Sequence, residues 1–246
     1  ASDVYKRQVL KSMHPANIIR LELPDPRGGA DKYRNSLNDL KYFLKKGYLT
    51  QDSVPRIYVY EQEFSVFGKR YKRKGIFAAV KVEEPRRGSI LPHEHTFSGP
   101  KEDRLKMMKT LKMNISPIFL IFSDKSKKVL AIINKKSRAK PVLTAKDAAG
   151  TAHKLWVIDE PHLNKTLQEE MLEKKLLIAD GHHRYETAWN YSVLRGKKDT
   201  LKKKYSSNYV LSFLCPMQEK GLIILPTHRI VEPADEEEEN LIKNNI

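Results

Sequence analysis

The sequence has almost no cysteine, since Cys215 stands alone among 246 residues. A disulfide framework within one chain is therefore excluded, which is typical of proteins from a reducing cytoplasm. Cys215 ends the apolar, strand-like run Val210–Cys215, and a thiol in such a run is expected to be buried and unreactive. No apolar run approaches the about 20 residues of a membrane span. We therefore expect a cytoplasmic protein without a membrane partner.

Basic residues outnumber acidic ones, and the formal net charge is +16. Most of the excess is lysine scattered along the chain, and the densest cluster comprises Arg195–Lys198 and Lys202–Lys204. Such a cluster can contact a phosphate backbone, but no stacking aromatic residues are interleaved with it. The charge therefore predicts a solvated, lysine-rich surface, and a nucleic-acid partner is the weaker alternative.

Both ends of the chain are unusual. Asp3–Gln8 is the translation of a transposon adapter used in shotgun sequencing, so residues 1–8 are interpreted as a scar outside the fold. The segment Glu236–Ile246 is charged and has no closing element. Residues 9–246 are therefore expected to be a fragment of one domain, truncated at both ends, and no oligomeric state follows from them. The 40% of hydrophobic residues is ample for a core.

Hydrophobic periodicity predicts single helices and hairpins without a regular strand–helix alternation. Phe67–Lys69 is expected to be a turn, and Glu83–Pro100 a loop rich in proline and glycine. This mixture predicts an α+β (mixed α/β) fold, in which helices flank a mixed sheet. The predicted helices span residues 33–46, 102–113 and 163–174, a further helix and a hairpin lie between 124 and 158, and the other predicted strands span 56–60, 75–82, 117–122, 209–214 and 222–225.

The segment Leu177–Ala188 is the most informative part of the sequence. An apolar run ends in Asp180-Gly181, two histidines and an arginine follow, and a helical pattern then begins. This order is typical of a strand, a tight turn and a helix N-terminus, where backbone N–H groups lack intrahelical partners. With His183 and Arg184 beside it, the turn is predicted to bind an anion, above all phosphate.

Each residue of this turn has a predicted role and a structural alternative. Asp180 could cap the helix, hold a metal or accept a hydroxyl proton. Gly181 permits a backbone conformation or a close approach that a side chain would prevent. His182 and His183 are adjacent and cannot point the same way, so one is expected to reach a phosphate while the other packs. The planar guanidinium group of Arg184 could donate to phosphate oxygens. Its structural alternative is a surface ion pair.

A second dense group of ionisable residues lies between Pro92 and Arg104. Loops collect functional residues, and Glu94 could act there as a general base while Lys101 or Arg104 neutralises a charged substrate. The structural alternative is a hydrophilic loop that leads into a helix with an acidic first turn. The presence of two such clusters in one chain favours the functional interpretation.

The alternative role for the histidines is to bind zinc. His93 and His95 alternate in an extended segment and would point to the same side, so they could meet His182 and His183 around a metal. Tetrahedral zinc needs three or four spaced ligands, and no ligand spacing in the sequence supports such a site. His93 and His95 are therefore candidates only, and no metal site is assigned.

At these two clusters the sequence resembles a bacterial and archaeal family, domain-of-unknown-function family 1015. The shared motifs are His93–Thr96, Lys101–Arg104 and Ala179–Arg184, and the similarity also touches Tyr58–Tyr60 and Leu225–Arg229. The resemblance covers nearly the whole chain after residue 8. It implies no activity by itself.

Gly181–Tyr185 also looks like the phosphate-binding turn of the ParB/sulfiredoxin-like superfamily, in which a G-x-x-R turn at a helix start holds nucleotide phosphates. In sulfiredoxin a cysteine does the redox work where this chain has His182, so the resemblance implies no such chemistry here. ParB-type proteins add a DNA-binding helical part, which this sequence does not show. Free-serine kinases of the superfamily combine the turn with a glutamate base, which Glu94 would match.

The leading hypothesis is a nucleotide-dependent phosphotransferase, that is, an ATP- or ADP-dependent kinase for a small hydroxylated metabolite such as free serine. His183, Arg184 and the N–H groups after Gly181 would hold the phosphates. Glu94 or Asp180 would accept the hydroxyl proton. The expected cofactor is ATP or another nucleotide with Mg²⁺, because phosphoryl transfer depends mainly on positioning and cations.

The hypothesis gives roles to three further residues, and two alternative functions remain open. Lys101 or Arg104 would neutralise charge in the transition state, and His182 is a further catalytic candidate. One alternative is a nucleotide-sensing or DNA-binding ParB-like regulator, which would bind through the cluster Arg195–Lys204 with a strong salt dependence. The other is a metal-dependent hydrolase that uses the histidines.

Overall fold

One mixed sheet and the helices around it make up the described part of the chain. The computed structural model describes residues 2–26, 31–94, 98–196, 206–225 and 236. No helix within these residues is long and apolar enough to cross a membrane. The helices are Ser2–Met13 (α1), Ile19–Glu22 (α2), Lys32–Lys45 (α3), Ser98–Leu111 (α4), Lys128–Lys136 (α5), Pro161–Leu172 (α6) and His182–Gly196 (α7). The strands are Ile57–Val66 (β1), Lys69–Lys81 (β2), Ile90–Leu91 (β3), Ile118–Phe122 (β4), Leu143–Lys146 (β5), Ala152–Ile158 (β6), Leu176–Asp180 (β7) and Tyr209–Pro216 (β8).

The predicted α+β fold is confirmed, and the predicted strand over residues 222–225 is wrong. This segment is irregular. It follows two consecutive backbone turns after β8, in which the N–H groups of Glu219 and Leu222 donate to the carbonyl oxygens of Pro216 and Glu219, both at 3.0 Å. Gly221 approaches the β2 backbone so closely that a Cβ there would lie 1.8 Å from the carbonyl oxygen of Lys72. Leu222 packs on the sheet face, whereas Ile224 is 83% exposed. The segment therefore crosses the sheet without joining it.

The strand directions bring four chain segments to one edge of the sheet. The strand order is β3-β7-β4-β8-β2-β1-β6-β5, with β3 parallel to β7 and β4 parallel to β8. Because β3 and β7 run the same way, both end at this edge. Since β4 is antiparallel to β7, β4 and β8 begin there. The segments after β3 and β7 and those before β4 and β8 therefore converge.

Three helices cover one face of the sheet. Val129 and Ile133 of α5, Leu167 of α6, and Tyr185 and Ala188 of α7 are buried against the inward side chains of the central strands. A second, smaller core joins α2, α3 and α4. It consists of Leu21, Leu40, Phe43, Met107 and Leu111. The helix that follows the glycine turn thus packs against the sheet on one side and contacts α4 on the other.

Cys215 lies on the opposite face of the sheet, within β8. It is 0% exposed and packs with Ile121 and Phe213. Its thiol donates a hydrogen bond to the carbonyl oxygen of Lys74, at 3.3 Å. Burial raises the pKa of the Cys215 thiol to about 12, so the thiolate that redox chemistry needs is not populated at neutral pH.

A two-residue turn joins β1 to β2. Val66 pairs with Lys69, so Phe67 and Gly68 are the turn residues, and both have positive φ, of 49° and 74°. This is the type I′ geometry that suits the twist of a hairpin and favours asparagine followed by glycine. Phe67 adopts this unfavourable conformation although no burial of its side chain compensates for it, since the side chain is 93% exposed.

Phe67→Asn should therefore stabilise the fold by about 0.5 to 1 kcal/mol, since asparagine tolerates positive φ better than phenylalanine. Urea unfolding monitored by circular dichroism measures the change. Phe67→Ala is the control, because it removes the exposed ring and keeps the unfavourable φ. Equal stabilities of the asparagine and alanine variants would contradict this account of the turn.

Candidate functional site

The two clusters predicted from the sequence meet at one edge of the sheet. His93 and Glu94 follow β3, and Gly181 follows β7. The parallel register of these strands, with Ile90 opposite Leu176, places the two segments side by side. Carboxyl ends of neighbouring parallel strands are a common position for ligand sites in open sheets.

Gly181 makes the turn from β7 into α7. Its φ is +95°, a conformation that side chains rarely adopt. A Cβ at this position would lie 3.0 Å from Cγ2 of Ile118 and 3.1 Å from Nη2 of Arg184. Gly181 is therefore required both by the backbone conformation and by the close approach of Arg184. The predicted strand, tight turn and helix N-terminus are present.

His182 is buried and joins the two clusters. It is 3% exposed, and its Nε2 accepts a hydrogen bond from the backbone N–H of His93, at 3.2 Å. Its Nδ1 lies 3.2 Å from Oε2 of Glu94. With Nε2 acting as acceptor, the proton of the neutral imidazole is on Nδ1 and points at the Glu94 carboxylate.

The protonation of His182 agrees with this geometry. Burial lowers the pKa of His182, the neighbouring Glu94 carboxylate opposes that effect, and His93 adds to the lowering. The ring of His93 meets the ring of His182 edge-on, with 4.5 Å between their centroids. Glu94 itself is exposed, with 58% of its side chain accessible. His182 thus holds an accessible carboxylate in place.

Arg184 lies on the other side of the turn. Its Nη1 donates to the carbonyl oxygen of Pro117, just before β4, and its Nη2 donates to Oδ2 of Asp180. The Asp180 side chain is 69% exposed. These contacts use two of the five N–H donors of the guanidinium group, so the group is held in a fixed orientation with donors left for a ligand.

An open, shallow cleft lies beside Arg184. Arg104 and Thr187 line it together with Arg184, so that α4 and α7 each contribute a guanidinium group. The only carboxylate among its described lining residues is Glu22, which accepts a hydrogen bond from Ser116. The backbone oxygen of Glu22 accepts one from Arg104, at 3.2 Å. Two cationic groups and one anionic group therefore line the cleft, and Asp180, which is not among its described lining residues, pairs with Arg184.

The other predicted residues take different positions. Lys101 pairs with Glu186 of α7, with 2.9 Å between Nζ and Oε2, and it does not line the cleft. His183 is half-buried, and its backbone oxygen accepts a hydrogen bond from Thr187, at 2.7 Å. Glu94 is also not among the described lining residues of the cleft.

Some predicted residues lie outside the described part of the chain. These are His95, Thr96, Lys197, Lys198, Lys202–Lys204 and Pro226–Arg229. Among the residues that are described, no group of three histidine, cysteine, aspartate or glutamate side chains is arranged to hold a metal ion. The metal-dependent hydrolase, which needs His95, and the DNA-binding regulator, which needs the lysine cluster, stay predictions.

Sequence reasoning missed the residue that anchors α7. Tyr185 is 1% exposed, and its hydroxyl accepts from the backbone N–H of Glu83 and donates to the carbonyl oxygen of the same residue. Burial raises the pKa of Tyr185 to about 12. Glu22 and Ser116 of the cleft were also missed, because they are 94 residues apart and share no motif. Thr187 could have been found, since it follows Arg184 by one helical turn.

The fold and the turn define an α+β protein with a glycine-led helix N-terminus at the carboxyl edge of its sheet. A family model described as "Protein of unknown function (DUF1015)" matches residues 3–245. The chain therefore belongs to this family, as its motifs predicted. The matched range includes residues 3–8, whose origin as a scar stays a prediction.

No curated protein and no solved structure matches the chain. The family description assigns no activity. The resemblance of Gly181–Tyr185 to the ParB/sulfiredoxin-like turn therefore stays a prediction. Any function has to be argued from the turn, the paired His182 and Glu94, and the cleft beside Arg184.

Gly181→Ala should destabilise the protein by about 1 to 3 kcal/mol, because alanine at this φ is strained and its Cβ would displace Arg184. Gly196→Ala is the matched control. Nothing lies within 4 Å of a Cβ at Gly196, and alanine is favoured in a helix, so its stability should stay equal or rise. Urea unfolding of both variants tests this, and equal effects would contradict the proposed role of Gly181.

The buried His182 should make the fold sensitive to acid. In the unfolded chain a histidine binds a proton near pH 6.5, whereas the lowered pKa in the folded state resists protonation. The unfolded state therefore binds more protons in this range, so stability falls as the pH drops below about 6.5. Urea unfolding at pH 7.5 and pH 5 measures the loss.

His182→Gln keeps a donor and an acceptor and removes the titration, so its stability should change less between the two pH values. His162→Gln, at an exposed position of α6, is the matched control and should keep the pH dependence of the unsubstituted protein. A His182→Gln variant with that same pH dependence would show that His182 is not the titrating group.

Proposed function

We propose that this protein is a nucleotide-dependent phosphotransferase that acts on a small hydroxylated metabolite. The observation that carries the proposal is the convergence of Arg104 and Arg184 in one cleft beside the N-terminus of α7. Two guanidinium groups and a helix N-terminus form an environment that suits a phosphate chain. Phosphoryl transfer needs little else than positioning and charge neutralisation.

The phosphates would be held by the first turn of α7 and the two arginines. The first N–H groups of a helix have no partner within the helix, and here they follow Gly181 directly. Arg184 keeps its orientation through Pro117 and Asp180. Lys101 is not among the described lining residues of the cleft, so we assign the cationic role to Arg184 and Arg104.

Glu94 is our candidate for the general base. The Nδ1–H of His182 points at Oε2 of Glu94, and the carboxylate remains accessible. A carboxylate of fixed position can accept the proton of an attacking hydroxyl group. The acceptor would therefore bind on the Glu94 side of the turn, and the nucleotide on the Arg184 side. Phosphoryl transfer would take place over the helix N-terminus between them.

The acceptor would be a small alcohol-bearing metabolite, for which free serine is the first compound to test. Magnesium bound with the nucleotide would supply charge neutralisation of the phosphates, and the carboxylates at the turn are Asp180 and Glu94. We place this reaction in the cytoplasm, because the single buried thiol is consistent with a reducing compartment.

The proposal predicts that substitutions on the two sides of the turn separate binding from turnover. Arg104→Gln should weaken the binding of ATP with Mg²⁺ by about tenfold to a hundredfold, because it removes a charge-assisted hydrogen bond. Glu94→Gln should leave nucleotide binding within about threefold and lower kcat by about a hundredfold or more. Calorimetry with ATP, ADP and CTP measures binding, and nucleotide consumption with serine and related alcohols measures turnover.

Two exposed residues provide matched controls. Arg87→Gln removes an arginine whose side chain is 76% exposed, and Glu169→Gln removes a glutamate whose side chain is 65% exposed. Both variants should behave like the unsubstituted protein. Absence of binding of all three nucleotides to the full chain would end the proposal, and an unchanged kcat in Glu94→Gln would remove Glu94 as the base.

A further inference from the structure

We infer that the cleft continues along α7 into a nucleoside subsite, in which Tyr191 and Tyr209 contact the base. A second cleft lies next to the first one. The two share Met108, Met113 and Asn114 as lining residues, so they adjoin each other. This inference rests on the proposed function and specifies its cofactor as a nucleotide.

One face of α7 forms a wall of both clefts. Arg184 and Thr187 line the first cleft, and Ala188, Tyr191 and Arg195 line the second. These positions repeat at intervals of three and four residues, so they share one side of the helix. Tyr191 follows Arg184 by seven positions, which corresponds to about 10 Å along a helix axis. This matches the span between the outer phosphates and the base of an extended nucleotide.

The second cleft has the chemistry of a base and ribose site. Tyr191 and Tyr209 are half-buried and offer rings for stacking, which suits any base because every base has a π-face. The thioethers of Met108 and Met113 give polarisable apolar contact. The amide of Asn114 offers both a donor and an acceptor to a base edge.

Two further features favour a polar, anionic ligand over an apolar one. The hydroxyl oxygen of Ser207, a lining residue, is buried and has no hydrogen-bond partner among the described residues. Buried polar groups are usually satisfied, and a ribose hydroxyl is a suitable partner. Lys112 also lines this cleft, and none of its described lining residues is a carboxylate. A nucleotide fits this combination of rings, hydroxyl and positive charge.

The test compares ATP with inorganic tripolyphosphate on the full chain by calorimetry in the presence of Mg²⁺. Tyr191→Leu should weaken ATP binding by about tenfold, because it removes a stacking ring, and should leave tripolyphosphate binding within about twofold. Tyr191→Phe keeps the ring and should bind ATP within about threefold of the unsubstituted protein. Tyr42→Leu, at a position 41% exposed on α3, is the control and should change neither affinity.

The outcomes separate this inference from the proposed function. If tripolyphosphate and ATP bind equally well and Tyr191→Leu weakens neither, the nucleoside subsite is wrong while phosphate binding at Arg104 and Arg184 stands. If Tyr191→Leu weakens both ligands equally, the tyrosine acts on the fold and the subsite is likewise wrong. If neither ligand binds, both the subsite and the proposed function fail.

Discussion

The first turn of α7 is tied to three separate segments of the chain. His182 accepts a hydrogen bond from the backbone after β3, Arg184 donates to the backbone before β4, and Tyr185 bonds both to and from Glu83 after β2. Side chains in a helix are rotated by about 100° per residue, so these neighbours reach different directions. The helix N-terminus is thereby fixed in space, and the position of every other group in the site depends on it.

This arrangement also determines the charges around the turn. The imidazole of His182 is buried and favours its neutral form, so it orients the Glu94 carboxylate without neutralising it. On the opposite side, Asp180 balances the charge of Arg184. Arg104 adds a second guanidinium group to the cleft. In the proposed function, Glu94 would serve as the general base and the cleft beside Arg184 would hold the phosphates.

Local patterns in the sequence predicted most of the fold. The apolar spacing of α3, the strand before Gly181 and the hairpin turn at Phe67 each follow from a few neighbouring residues. The strand predicted over residues 222–225 is absent, because the segment follows two consecutive turns after β8 and has no regular structure.

Only part of the site could be predicted from the sequence, because several of its contacts join residues that are far apart in the chain. Gly181 and Arg184 share one motif, and Glu94 was identified by the density of charge around it. The hydrogen bond from the His93 backbone to His182 joins residues 89 positions apart, and the parallel register of β3 and β7 creates it. That register, and the second cleft beyond Arg184, become visible only when the strands are assembled.

The central claim is that the N-terminus of α7 binds phosphate. Backbone amide shifts in an NMR spectrum of the ¹⁵N-labelled protein, recorded with and without ATP and Mg²⁺, test it most directly. The account predicts that the largest shifts fall on the amides of residues 181–185, where the N–H groups would donate to phosphate oxygens. Shifts confined to other segments, with these amides unchanged at saturation, would contradict it.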